Sequence, residues 1–155
     1  TFRPPLDAIS FLPQQPYFTP GTLRQLLVDP AREKELADEH ILAAIHNAGL
    51  ESVVMRAGGL DNEHDWPTML SLGEQQQLGM VRLTLARPSF AMLDRVSTTL
   101  AAGQLQQSLR RLSDKSITYI EFGEANESNE LYDAVLEIDP GGAWSWRQTR
   151  AAGGD

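Results

Sequence analysis

The sequence contains no cysteine, which excludes a disulfide framework and any zinc site built on thiolates, and fits a reducing compartment. It also lacks a long apolar run: nothing approaches the ~18 consecutive apolar residues that a membrane-crossing helix requires, so direct insertion of this chain into a bilayer is not expected. Positive charge is scarce, with 13 Lys and Arg against 21 Asp and Glu and a net charge of −8. Such a surface repels nucleic acid and anionic lipid unless cations cluster, and the one dense pair, Arg110-Arg111, is too small for that. A starting methionine and a basic-plus-apolar leader are missing too, which predicts a piece of a longer polypeptide rather than a secreted precursor.

What is present is the composition of a globular domain, 155 residues with 41% apolar and 22% charged side chains and no internal repeat or low-complexity stretch. A chain of this size buries roughly 70% of its unfolded surface, enough for one core. Prolines crowd the first twenty residues, leaving room for one short strand, Ala8 to Leu12, ended by Pro13. Thr19-Pro20-Gly21-Thr22 reads as a turn with Thr22 as a helix N-cap, followed by Leu23, Leu26 and Leu27 at helical spacing. A second helix runs from Asp38 through Ile41, Leu42 and Ile45 to a terminator at Gly49, and residues 57–65 read as a polar, Gly-rich loop. Glu74 to Ala86 carries the strongest helical pattern and stops at Arg87-Pro88. Phe90 to Leu93, bounded by Pro88 and Asp94, is a strand covered on both faces; a helix over Leu100 to Leu112 and a strand over Ile117 to Phe122 complete a parallel crossover. Leu131 to Val135 is expected as a short helix leading into a strand at Leu136 to Ile138. A turn at Asp139 to Gly142 then leads to a strand, Ala143 to Arg147, on which Trp144 and Trp146 share a face and are expected to pack in a core.

Leu70-Ser71-Leu72-Gly73-Glu74-Gln75-Gln76 opens the best-patterned helix, where free backbone N–H groups and the positive end of the dipole favour an anion and glycine permits close approach. This segment resembles the signature loop of ATP-binding cassette (ABC) ATPase domains. The neighbouring segments are similar to that family in order and spacing: Phe11 to Tyr17, with Gln14, resembles the Q-loop; Phe90 to Asp94 resembles the Walker B strand; Asp65-Trp66 and the closing Gly-x-x-Trp-x-Trp resemble the subgroup of peroxisomal fatty acyl-CoA half-transporters and bacterial peptide-uptake transporters. The resemblance covers Ile9 to about Arg147.

From it follow an α/β fold with a P-loop NTPase-like, mostly parallel sheet, a helical subdomain over about 22–86, a sheet-forming part over 90–147, and a flexible tail at 151–155, residues 1–150 making a partial ABC ATPase-like domain. It implies nucleotide contacts from Gln14, Ser71, Leu72, Gly73 and Glu74, Mg-ATP as cofactor with Asp94 as a Mg²⁺ ligand, a second ABC ATPase domain and a transmembrane transporter domain as partners, a transporter-coupling face near Gln14 to Leu27, and a place at the cytoplasmic face of a membrane.

The departures are as specific. No Gly-x-x-x-x-Gly-Lys-Ser/Thr occurs in the sequence, so the N-terminal phosphate-loop part and its lysine are lacking. The glutamate that the family places after Asp94 is Arg95, a cation that cannot accept a proton. The D-loop aspartate falls on Ala101 and the switch histidine on Glu124. Two readings follow: a catalytically degenerate domain that lends its signature loop to a partner's ATP site, or a non-enzymatic interaction module kept from an ABC fold. Asp61, Glu63, His64 and Asp65 read as a solvated loop rather than a metal cluster, His40 and His46 as surface residues, and an unrelated α/β enzyme is set aside because no nucleophile and base are paired in the pattern.

Overall fold

Two units make up the chain, residues 1–122 and 123–155, and the computed structural model describes residues 4–5, 8–31, 36–124 and 131–149. The expected tail at 151–155 lies outside the described residues.

In the first unit, β1 (Ile9–Leu12), β4 (Phe90–Asp94) and β5 (Thr118–Phe122) form a parallel sheet in the order β1-β4-β5. The chain between β1 and β4 holds β2 (Gly21–Thr22), α1 (Leu23–Leu27), α2 (Asp38–Asn47), α3 (Glu51–Ala57), β3 (Glu63–His64), α4 (Trp66–Met69) and α5 (Leu72–Ala86); α6 (Ala102–Asp114) connects β4 to β5. Strand alternation sends Leu12, Ala91 and Leu93 to one face, where α5 packs on β1 and α6 on β5, burying Leu105, Leu109 and Leu112. At Gly79 the contact is close: an added Cβ would sit 2.4 Å from Leu12 Cδ1. The other face has no cover among the described residues. Phe11 (60% exposed), Met92 (36%), Ile120 (55%) and Phe122 (51%) lie bare on it, in register across all three strands. The expectation of a Phe90–Leu93 strand covered on both faces therefore holds on one side only, because this chain supplies helices to one face.

The helices before β4 have their own core, built on Trp66, Leu23, Leu27, Ile41, Ile45, Val53 and Leu78. Trp66 is wholly buried, and its indole Nε1 donates to the carbonyl of Gly21 at 3.0 Å, satisfying the one polar group the ring carries into the core. Thr22 caps α1 in a reciprocal box with Gln25. Arg24 ties three segments together, forming a fork on Asp61 (2.7 and 3.0 Å) and reaching Asp38 at 2.7 Å, at the head of α2. These carboxylates hold the Arg24 guanidinium above its ordinary pKa, and Arg24 in turn holds Asp61 below the usual carboxylate range.

Two features of this region differ from expectation. The loop at 57–65 contains β3, paired antiparallel with β2, and α3 follows α2 after a break at Gly49, whose φ of +70° suits glycine. Val53 and Val54 give α3 little intrinsic helical preference; burial of Val53 and Ala57 holds it.

In the second unit, β6 (Ala134–Ile138) and β7 (Trp144–Gln148) form an antiparallel hairpin. The helix expected at Leu131 to Val135 is a strand from Ala134 onward, because Ala134 pairs with Gln148 and Val135 with Arg147 and cross-strand pairing overrides local preference. Trp144 and Trp146 do share a face, opposite Ile138 and Leu136, but they are 71% and 61% exposed. The expectation that they pack in a core fails: within this unit no second layer covers the hairpin among the described residues.

Candidate functional site

The Ser71 to Glu74 segment is a helix N-terminus built by local hydrogen bonds. Ser71, extended at φ −66° and ψ 159°, caps α5: its Oγ accepts from the Glu74 N–H at 3.3 Å, and Glu74 Oε2 accepts from the Ser71 N–H at 2.9 Å and from the Ser71 Oγ–H at 3.0 Å. Arg56, from α3, binds the other oxygen of Glu74 at 2.5 Å. Burial pushes the Glu74 carboxyl up, but the Ser71 N–H, the Arg56 guanidinium and the Ser71 hydroxyl together hold it below the ordinary carboxylate range. Leu72 is exposed, and a Cβ on Gly73 would meet nothing within 4 Å. Nothing among the described residues demands a glycine there, although glycine in a helix costs about 0.5–1 kcal/mol relative to alanine.

A second cluster gathers at the C-terminal ends of β1 and β4. The Gln14 N–H points at Asp94 Oδ2 (3.5 Å), and Gln14 Nε2 donates to Thr98 Oγ1 at 3.2 Å. Thr98 Oγ1 in turn donates to the Arg95 carbonyl at 2.7 Å. Gln14 and Asp94, 80 residues apart in the chain, are thus brought next to each other. Asp94 and Gln14 offer hard oxygen donors at a strand's C-terminal end, a donor set suited to Mg²⁺. Arg95 is exposed and adopts a left-handed conformation (φ 50°, ψ 36°), its N–H donating to the Phe122 carbonyl at 2.9 Å. Ala101 is the N-cap residue of α6 and offers no side-chain acceptor; Gln104 Oε1 accepts from its N–H at 3.3 Å. Glu124 is exposed and lies in the second unit.

Two residues that the sequence pattern did not single out complete this cluster. Thr98 has just been described; the other is Gln76, wholly buried on α5, whose Nε2 donates to the carbonyls of Pro13 (3.1 Å) and Gln14. The acidic loop does not converge. Asp61 goes to Arg24, and His64 Nε2 meets the Ala57 carbonyl at 2.8 Å while its ring stands edge-on to Trp66.

Sheet and helices together make an α/β fold of the P-loop NTPase type. A solved bacterial Atm1-family ABC exporter with ATP bound matches it with a TM-score of 0.73 at 20% identity, over 92% of this chain and 26% of that one. Sequence relatives give the general kind. The chain is 32% identical over 142 residues to an uncharacterized ABC transporter ATP-binding protein of Synechocystis (92% of this chain, 22% of the relative). It is 35% identical over 144 residues to the human lysosomal cobalamin transporter ABCD4 (88% and 24%), and 29% identical to the chloroplastic ABC transporter D family member 2 of Arabidopsis thaliana (84% and 22%). The chain spans about a quarter of the length of these relatives. No protein-family model matches it. Over most of its length, then, the chain is similar to part of these ABC transporter proteins, D-family members among them. No helix among the described residues is long and apolar enough to cross a membrane.

Proposed function

We propose that the chain is the C-terminal portion of an ABC transporter nucleotide-binding domain that lends its signature loop, Ser71 to Glu74, to an ATP site on a partner domain and does not hydrolyse ATP by itself. The observation that carries this reading is a contrast. The Ser71 and Glu74 cap is fully assembled, with Gly73 open to close approach by an external group, whereas the residue after Asp94 is a cation in a left-handed turn.

When bound, Mg-ATP supplies a metal-polarised γ-phosphate for transfer to water. In this reading the partner's nucleotide meets the Ser71 hydroxyl and the free N–H groups at the head of α5, with Glu74 keeping that turn in shape. On the chain's own side, Asp94 and Gln14 hold a metal-facing position. Arg95 cannot take a proton from water, Ala101 and Glu124 stand where the family has an aspartate and a histidine, and the sequence has no phosphate-loop lysine.

The bare face of Phe11, Met92, Ile120 and Phe122 supports a larger domain, since parallel sheets are covered on both sides and Asp94 belongs to this same face. A groove of about 670 Å³ beside Pro16, Tyr17, Phe18, Val28 and Arg82 supports a transporter-coupling surface next to the Gln14 turn. The domain so read comprises residues 1–150, with helices over 22–86 and sheet over 90–147, and works at the cytoplasmic face of a membrane beside a transmembrane partner.

Complementation tests the lending role. An active ABC ATP-binding domain whose own signature serine has been replaced by arginine should regain ATPase activity when this chain is added and should not regain it with Ser71→Arg. Equal rescue by both forms would defeat the proposal. The changes at Arg95, Ala101 and Glu124 favour a second reading, a protein-binding module without nucleotide chemistry, and absence of rescue by either form is its expected result.

A further inference from the structure

We infer that Gln76 is a positioning residue that latches the signature helix to the Gln14 turn, so that the clasp offered to a partner and the metal-facing end of this chain's own site move as one body. The side chain is wholly buried, yet it spends its amide on two backbone carbonyls more than sixty residues away, those of Pro13 and Gln14. The two carbonyls fix the orientation of the amide, because Oε1 turned toward them would be repelled. That orientation leaves Oε1 buried with no hydrogen-bond partner among the described residues. A buried acceptor without a donor is destabilising. An apolar residue of the same shape would avoid that penalty but would take the donor away from the Pro13 and Gln14 carbonyls, so the amide's contribution is the position it imposes on the turn.

The turn then carries the position onward. The Gln14 N–H faces Asp94, and its side chain binds Thr98, which holds the Arg95 carbonyl. Five residues before Gln76 on the same chain is Ser71, the cap of the helix. A rigid helix with Ser71 at its head and Gln76 one and a half turns further in therefore connects the loop lent outward with the cluster at Asp94. A shift of the Gln14 turn on metal or partner binding reaches Ser71 through this amide. This consequence for a partner's site rests on the lending role proposed above; the latch does not.

Hydrogen exchange on the full chain, without nucleotide or partner, tests the latch. In Gln76→Met, protection of the Gln14 amide should fall about tenfold or more, the equivalent of one lost hydrogen bond, while residues 78–86 of α5 keep theirs. In Gln76→Glu the same loss should appear at neutral pH, where a carboxylate faces two carbonyls, and should reverse as pH falls and the acid donates a proton to one of them. Unchanged protection at Gln14 in the methionine variant would overturn the inference, as would a uniform loss along α5 and the core, the mark of simple packing damage. Should the methionine variant not fold, the glutamate variant decides: acid recovery supports the latch, and pH-independent behaviour refutes it. Failure here leaves the lending role standing, and failure of the Ser71→Arg contrast leaves the latch standing.

Discussion

Glu74 does at one residue what an isolated N-cap cannot: it closes the box with Ser71 and brings Arg56 of α3 onto the head of α5. Its carboxyl is held below the ordinary range, so the bound proton count is lower in the folded chain than in the unfolded one around pH 4, the usual range for a glutamate. The stabilisation is present above that range and is lost as pH falls through the folded value. Glu74→Gln, which keeps the shape and loses the charge, should therefore unfold at lower urea concentration than the parent at neutral pH and match it under acid. A deficit of equal size at both pH values would show that shape alone matters. At this scale the sequence is most readable where bonding is local. Ser71 and Thr22 cap helices as their neighbours predict, because the partners lie three residues away. Gln76 and Arg24 were not legible, since their partners lie tens of residues off and no spacing rule reaches that far.

Among the elements, α5 is the piece on which the rest depends, and Gly79 is where it meets β1. Alanine at Gly79 would gain roughly 1 kcal/mol of helical preference in an open helix. Here the added methyl meets the buried Leu12 side chain at 2.4 Å, and overpacking of this kind costs about 1–3 kcal/mol. Gly79→Ala should lower stability, and combined with Leu12→Val the loss should be smaller than the sum of the two single losses, because shortening Leu12 makes room. Strict additivity in urea unfolding would mean that the two residues do not press on each other. Strong periodicity made α5 and α6 readable, and the apolar runs made β4 and β5 so. What sequence reading lost were the pieces decided by partners: α3, held by burial rather than propensity; β3, a two-residue strand defined by its pairing with β2; and the first two residues of β6, Ala134 and Val135, which read as the end of a helix although Leu136 to Ile138 read as a strand.

For the whole molecule, the unequal faces of the sheet matter most. Helices cover one face, and the other carries Phe11, Met92, Ile120 and Phe122 in the open, with Asp94 at its end. The fold class was legible because the strand, helix, strand order leaves few topologies. The bare face was not, since an apolar strand reads the same whether its second cover comes from its own chain or from elsewhere. The chain's similarity to about a quarter of each relative agrees with a structure whose sheet is half dressed. In the proposed reading the Ser71 to Glu74 loop is the part offered outward, whereas the sequence has neither a Gly-x-x-x-x-Gly-Lys-Ser/Thr run nor a carboxylate directly after Asp94. Titration calorimetry of the purified chain with Mg-ATP, alongside Asp94→Ala, tests that division of labour most directly. No binding is expected up to millimolar ATP in either form; saturable binding weakened by Asp94→Ala would overturn that division, since the chain would then hold a nucleotide site of its own.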